Sequence, residues 1–378
     1  MRMAGKDQRI QALRGLAAML VVILHAHTTL DSLKRPHFVT ARLIPDNGFG
    51  AFGVDLFFII SGVVMGMVLE RDESPRAFVR ARFVRVVPMF WLAAIATIVL
   101  SLAVGRPLTI ESLANSITIL PFFDLGVINP PVPAVGWTLA FELYFYLIVA
   151  LALGLPRRLR FEAVLAVLTL CAFIGELIQP VLVPILGITC NAMLLEFAVG
   201  LIALRVAQHR IVARYASLMI AAGIGALLYS AVIGVGISGA PQATVAGQTS
   251  AARLLVWGCP SALLIAGLIG RPDRMRSNSF LARLGDASYS IYLVHTSVMM
   301  AVSLAWPSMA PLGNDLLFVI LIATSALAGL AAHRWVEKAM LARLREKKPP
   351  LRISAAKPAG EEAGEKASLA HAAAPASI

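Results

Sequence analysis

The chain of 378 residues is 58% hydrophobic and only 14% charged, with a mean hydropathy of +0.79, far outside the range of soluble globular domains. Its formal charge of +12 does not point to nucleic acid, because the basic residues sit in short clusters between apolar runs rather than along one face. This is the pattern of an all-α integral membrane protein.

In chain order, about ten membrane-crossing helices are expected, over residues 10–30, 48–69, 84–104, 136–155, 161–181, 184–207, 216–235, 254–270, 284–304 and 315–332. The first run is long, carries Arg14 and His25 and lacks a small-x-small cleavage site at its end. It therefore reads as a mature helix rather than a signal peptide. Two connecting segments are more than turns. Residues 31–47 form a short polar loop holding His37. Residues 105–135 include a modest apolar stretch, 112–123, too short to span and suited to the interface or to a cavity.

Beyond Lys347 the chain turns to Ala, Pro, Glu and Lys without apolar periodicity, the composition of a disordered tail. The expected organisation is one transmembrane domain over 1–340 and a cytoplasmic tail over 341–378. Taking alternate loops as one side, 27 of the 33 Lys and Arg fall on the side of both termini. Five fall opposite, and Arg14 lies inside its helix. By the positive-inside rule both termini are expected in the cytoplasm. Cys171, Cys190 and Cys259 all lie in apolar runs without metal-ligand spacing and read as buried, inert thiols.

Ionisable residues inside apolar spans are costly and by default mark function. Arg14 and His25 are eleven positions apart, close to three whole turns, so they share one face of the first helix about 16 Å apart. In the second span Asp55 lies near the outward end, with Ser61-Gly62 in the middle. Two readings stand for Asp55. It orients His25 as a general base at similar depth, or it is an interfacial helix cap.

Arg82 and Arg85, spaced i and i+3 at the cytoplasmic start of the third span, suit a phosphate group or ordinary headgroup anchoring. Glu142 is expected one to two turns inside the outward end of the fourth span, near Trp137, Tyr144 and Tyr146, where it either holds a proton or faces a wet cavity. Glu176 and Glu196 raise the same question. Ser288, Tyr292 and His295 fall at spacings of four and three on one face of the ninth span. His295 is there a second functional group or a packed, hydrogen-bonded histidine. His27 points to the other side of the first helix.

Taken together, several stretches recur in an order that resembles the membrane-bound acyltransferase 3 family, over about residues 8–340. They are Arg14-x10-His25, the 53–62 stretch GVDLFFIISG, Arg82-x-x-Arg85, Trp137-x4-Glu142, Leu195-Glu196-Phe197 with Gly200, and SYSIYLVH from Ser288 to His295. These are bacterial proteins that acetylate or otherwise acylate exopolysaccharides, O-antigens and related glycans. The nearest resemblance is to exopolysaccharide-type members without a fused periplasmic esterase-like domain. The expectation is that transfer is completed in the membrane core or with a separate partner.

The resemblance implies a catalytic His25 with Asp55 as its partner, and acyl-CoA binding by Arg14, Arg82 and Arg85. Ser61, Trp137, Glu142, Tyr292 and His295 are the candidates for acceptor binding or proton handling. Acetyl-CoA or another short acyl-CoA is expected as donor substrate, with no bound cofactor or metal. The acceptor is expected to be a glycan or lipid-linked saccharide at the bacterial inner membrane. Membrane lipids and polysaccharide-biosynthesis proteins are the other expected partners. The competing class is a proton-coupled transporter using the same ionisable residues, and a third is a polysaccharide-assembly component without CoA chemistry.

Overall fold

The computed structural model describes residues 7–33, 50–122, 124, 126, 128–179, 181–233, 235, 237, 240–272, 279–305 and 314–344. The polar loop around His37 and the tail beyond 344 lie outside the described residues.

Helix α1 (Gln8–Ser32) starts where Asp7 accepts the backbone N–H groups of Arg9 and Ile10, satisfying donors that a helix start leaves free. Helix α2 (Phe52–Leu69) follows. Helix α3 (Pro75–Ala103) begins at Ser74, whose hydroxyl accepts from Ala77 N, with Pro75 in the first turn. It starts about nine residues before the expected span, so Arg82 and Arg85 are helical, as their spacing requires.

The short α4 (Ile110–Thr118) falls in the 105–135 segment and turns Asn115 and Ser116 into the protein. It is tied to the chain that follows it. Asn115 Nδ2 donates to Asp124 Oδ1 and to the Asn129 carbonyl, both at 2.9 Å, and Ser116 Oγ accepts from Val132 N at 2.7 Å.

Then come α5 (Ala134–Leu153, opening on a 3-10 turn over Ala134–Gly136), α6 (Arg157–Leu177), α7 (Pro184–Ala207, broken over 190–193), α8 (Arg210–Ile233) and α9 (Ser250–Ile269), the last with a π-helical turn over Leu254–Gly258. The chain continues through α10 (Phe280–Asp286), α11 (Ser288–Ala305), α12 (Asn314–Ala331), a π-helical stretch Ala332–Glu337 and α13 (Lys338–Leu344). Among the described residues there is no strand, and the protein is an all-α membrane bundle.

Nine helices among the described residues are long and apolar enough to cross a membrane, against the ten expected. The difference is α6. It is 21 residues long, but its last eighteen include Arg160, Glu162 and Glu176. The final helix is longer than expected. It does not stop at Ala332 but runs through the π-helical stretch to Leu344.

Helix α2 is the centre of the bundle, buried along most of its length, whereas α8 lies at the rim with few of its side chains buried. Helix α2 packs on α1, α5, α7 and α9. Its approach to α7 is backbone against backbone. A Cβ at Gly62 would collide with the Phe197 carbonyl, and one at Gly200 with the Ile59 carbonyl. Small residues at such crossings are what membrane helices use to come close. Beside this crossing, the rings of Phe58, Phe145 and Phe197 stack with centroids 4.3 and 4.7 Å apart.

A second close approach sets the site. A Cβ at Gly285 would collide with the Gln11 carbonyl, and one at Gly15 would lie 2.8 Å from Gly285 N. The α10–α11 junction therefore abuts the first turns of α1.

Candidate functional site

Between α1, α2, α3, α5 and α11 lies a pocket of about 810 Å³, its open mouth included. Three guanidiniums line it, each held by a different partner. The Gly15–Gly285 contact brings Ser288 Oγ within 3.4 Å of Arg14 Nε. Arg82 lies over the rings of Phe78 and Tyr146, at 5.3 and 5.7 Å from their centroids. Arg85 Nη1 faces Glu337 Oε1 at 3.8 Å, and a third of its side chain remains exposed.

Glu142 lies among these cations. Its Oε1 accepts from Tyr146 OH, one turn along α5, and from Ser61 Oγ at 3.5 Å. Glu142 and Ser61 thus open on the arginine pocket, at the same level as the expected donor site.

Away from the arginines the lining turns apolar, with Val54, Phe57, Leu139 and Tyr292. Tyr292 donates to the Val135 carbonyl at 3.0 Å and pairs with Thr138 Oγ1 at 2.8 Å. Its ring packs against Phe57 (5.9 Å between centroids) and against His295 (6.0 Å). Tyr292 therefore touches both the pocket and His295.

His25 and His295 form a pair, ring centroids 4.9 Å apart. Carbonyl oxygens only accept, so the bonds fix the tautomers. His295 Nδ1 donates to the Ile291 carbonyl at 3.2 Å, which leaves its Nε2 as an acceptor. His25 Nδ1 lies 2.9 Å from the Val21 carbonyl and 3.3 Å from His295 Nε2, and shares its proton between them. His25 Nε2 then carries the lone pair. His25 is half-buried and His295 fully buried.

The expected partnership of His25 with Asp55 is not formed. Asp55 is fully buried and binds Arg253 instead, Oδ2 to Nη2 at 2.6 Å. The reason is depth. Arg253, expected in an outward loop one residue before the eighth span, lies in the first turn of α9 and is 1% exposed. There it also donates to the Ala51 carbonyl at 3.3 Å and lies over Trp257. Glu196 sits beside Asp55 in the same sealed cluster. A buried carboxylate takes the cation at its own level.

Trp137 does not line the arginine pocket. It is buried against Phe141 and faces a smaller hollow with Asn115 and Asn129, on the opposite side of α5. His27 pairs with Asp31 on its own helix at 3.1 Å.

Sequence reasoning missed Arg253, Glu337, Ser290 and His333. For the last helix a signal was present, since Val336, Met340, Leu341 and Leu344 continue an apolar face past His333-Arg334. The expected span ends at Ala332, with Arg334 counted on the cytoplasmic side.

The comparisons agree with this architecture. The chain belongs to the membrane-bound acyltransferase 3 family, whose acyltransferase domain matches residues 7–334. It is 30% identical over 311 residues to the exopolysaccharide production protein ExoZ of Rhizobium meliloti (strain 1021), covering 79% of this chain and 92% of that protein. It is 26% identical over 354 residues to nodulation protein 10 of Rhizobium leguminosarum bv. viciae, covering 87% of this chain and 92% of that one. No solved structure matches the chain. The protein is thus a multi-pass membrane acyltransferase.

Proposed function

We propose that the protein takes an acyl group, acetyl in the first instance, from acyl-CoA on the cytoplasmic side and transfers it to a hydroxyl of an exported polysaccharide. The observation that carries this reading is a pocket lined by Arg14, Arg82 and Arg85 whose apolar end, at Tyr292, touches one member of the His25–His295 pair. Guanidiniums suit the phosphates of a CoA, and the apolar lining suits a thin thioester arm. The polysaccharide acceptor rests on the family and on the name of the ExoZ relative. The cytoplasmic donor side, with both termini inside, rests on the distribution of 27 of 33 basic residues. The bacterial inner membrane follows from the same reading.

The chemistry balances with one histidine. As the sugar hydroxyl oxygen attacks the thioester carbonyl carbon, His25 Nε2 takes the hydroxyl proton. The carbon–sulfur bond then breaks, and the departing thiolate takes that proton back from Nε2 to give the free thiol. His295 replaces the expected Asp55 as the orienting group. Its Nε2 accepts the Nδ1 proton of His25 and supports the imidazolium while it lasts. Asp55 is assigned to holding α2 on α9, and Glu142 with Ser61 and Tyr146 to the polar middle of the donor pocket. Trp137, facing its own hollow beside the 105–135 segment, is left to the acceptor side.

Purified full-length protein given acetyl-CoA and its polysaccharide is expected to release CoA, and His25→Ala protein of the same folded yield is expected not to. Equal CoA release by both proteins, or movement of an unmodified solute without CoA turnover, contradicts the reading.

A further inference from the structure

We propose that Glu337 is a positioning residue of the anion pocket, fixed by Ser290 and His333 so that it holds Arg85 in place for the phosphates of the donor. The inference rests on the acyl-CoA reading above.

Glu337 is 0% exposed, yet its two oxygens are used unequally. Oε2 accepts from Ser290 Oγ at 2.6 Å and from His333 Nδ1 at 2.7 Å, whereas Oε1 has no hydrogen bond and faces Arg85 Nη1 at 3.8 Å. Two charge-assisted bonds on one oxygen lock the carboxylate and leave its other oxygen aimed at the guanidinium. A guanidinium has five donors in a flat fork. With one edge towards Glu337 and a third of its side chain exposed, Arg85 keeps the other edge for a ligand.

The backbone is shaped for this contact. Glu337 closes the π-helical stretch Ala332–Glu337, a departure from regular helix that recurs at functional sites. Just before that stretch, Gly329 lets the helix run directly against Ile291, the neighbour of Ser290.

A tether is needed because Arg14, Arg82 and Arg85 line one pocket and like charges repel. Arg14 has Ser288 and Arg82 has two aromatic rings. For Arg85 the tether is Glu337.

The test is binding of acetyl-CoA and of S-acetyl-pantetheine, which keeps the thioester but lacks the phosphates, to purified full-length protein. Glu337→Gln is expected to weaken acetyl-CoA binding about tenfold, the size of one lost charge-assisted contact, and to leave S-acetyl-pantetheine unchanged. In Arg85→Ala protein the same substitution is expected to add nothing. Should Glu337→Gln fail to fold, Ser290→Ala, which loosens the carboxylate, is expected to show the same selectivity at a smaller size. Equal weakening of both ligands, unchanged or tighter acetyl-CoA binding, or a full effect on top of Arg85→Ala overturns the inference. Failure of the wild-type protein to bind acetyl-CoA overturns the acyl-CoA reading, and this inference with it.

Discussion

Two regions bury charge in the same apolar bundle, and they do it in opposite ways. In the cluster of α2, α7 and α9, Asp55, Glu196 and Arg253 are each at most 1% exposed, and Asp55 is closed onto Arg253 at 2.6 Å. In the pocket of α1, α3, α5 and α11, the guanidiniums are held from behind or from the side. Arg14 is held by Ser288, Arg82 by two rings and Arg85 by Glu337 at 3.8 Å, and each has a face on open space. A charge sealed against an opposite charge braces the fold, whereas a charge held on one side and open on the other is left to bind. The cost of burial alone does not separate these outcomes.

The comparison is broken most severely at the histidine pair. His25→Ala is expected to lower the transfer rate by a factor of about 10² to 10⁴, the range for a general base, with acetyl-CoA binding unchanged. Loss of donor binding together with rate would mean that His25 belongs to the pocket rather than to the chemistry.

Next in size is the sealed cluster. Asp55→Ala leaves Arg253 buried without its carboxylate and is expected to cost about 3–5 kcal/mol of stability, read as a drop in the thermal unfolding midpoint of the solubilised protein. Asp55→Leu with Arg253→Met should recover much of that loss, because apolar groups of similar size replace buried pairs well. A variant of normal stability but no activity would move Asp55 into the catalytic machinery.

His295→Gln tests the orienting role. A fall of about tenfold to a hundredfold in rate, with donor KM held, is expected for loss of a group that steadies the imidazolium. A raised KM at constant rate would place His295 with the donor instead.

The smallest effect expected is at the pocket itself. Arg82→Ala should raise the KM for acetyl-CoA about tenfold or more with little change in kcat, and added salt should narrow the gap to wild type. An unchanged KM would make Arg82 a headgroup anchor.

Much of this was legible in the sequence. Apolar run length gave the helices, and helical spacing put Arg82 beside Arg85 and Arg14 on the stripe of His25. What stayed hidden was partner choice across large separations. Asp55 meets a residue 198 positions away, and His25 one 270 positions away. Local periodicity carries no information on which of several buried charges come to the same depth. Arg253 was misplaced by a single residue at a helix start, and Glu337 by a π-helical stretch that carries the last helix past a basic flank. Both errors sit at helix ends, where the composition changes although the helix runs on.

The most direct test of the account is the mass of surface polysaccharide from cells carrying the wild-type protein, the His25→Ala variant or neither, with expression in the membrane matched. The account predicts the added mass of an acetyl or other short acyl group with the wild-type protein, and its absence with His25→Ala and without the protein. The same acylated polysaccharide from the His25→Ala cells would contradict it.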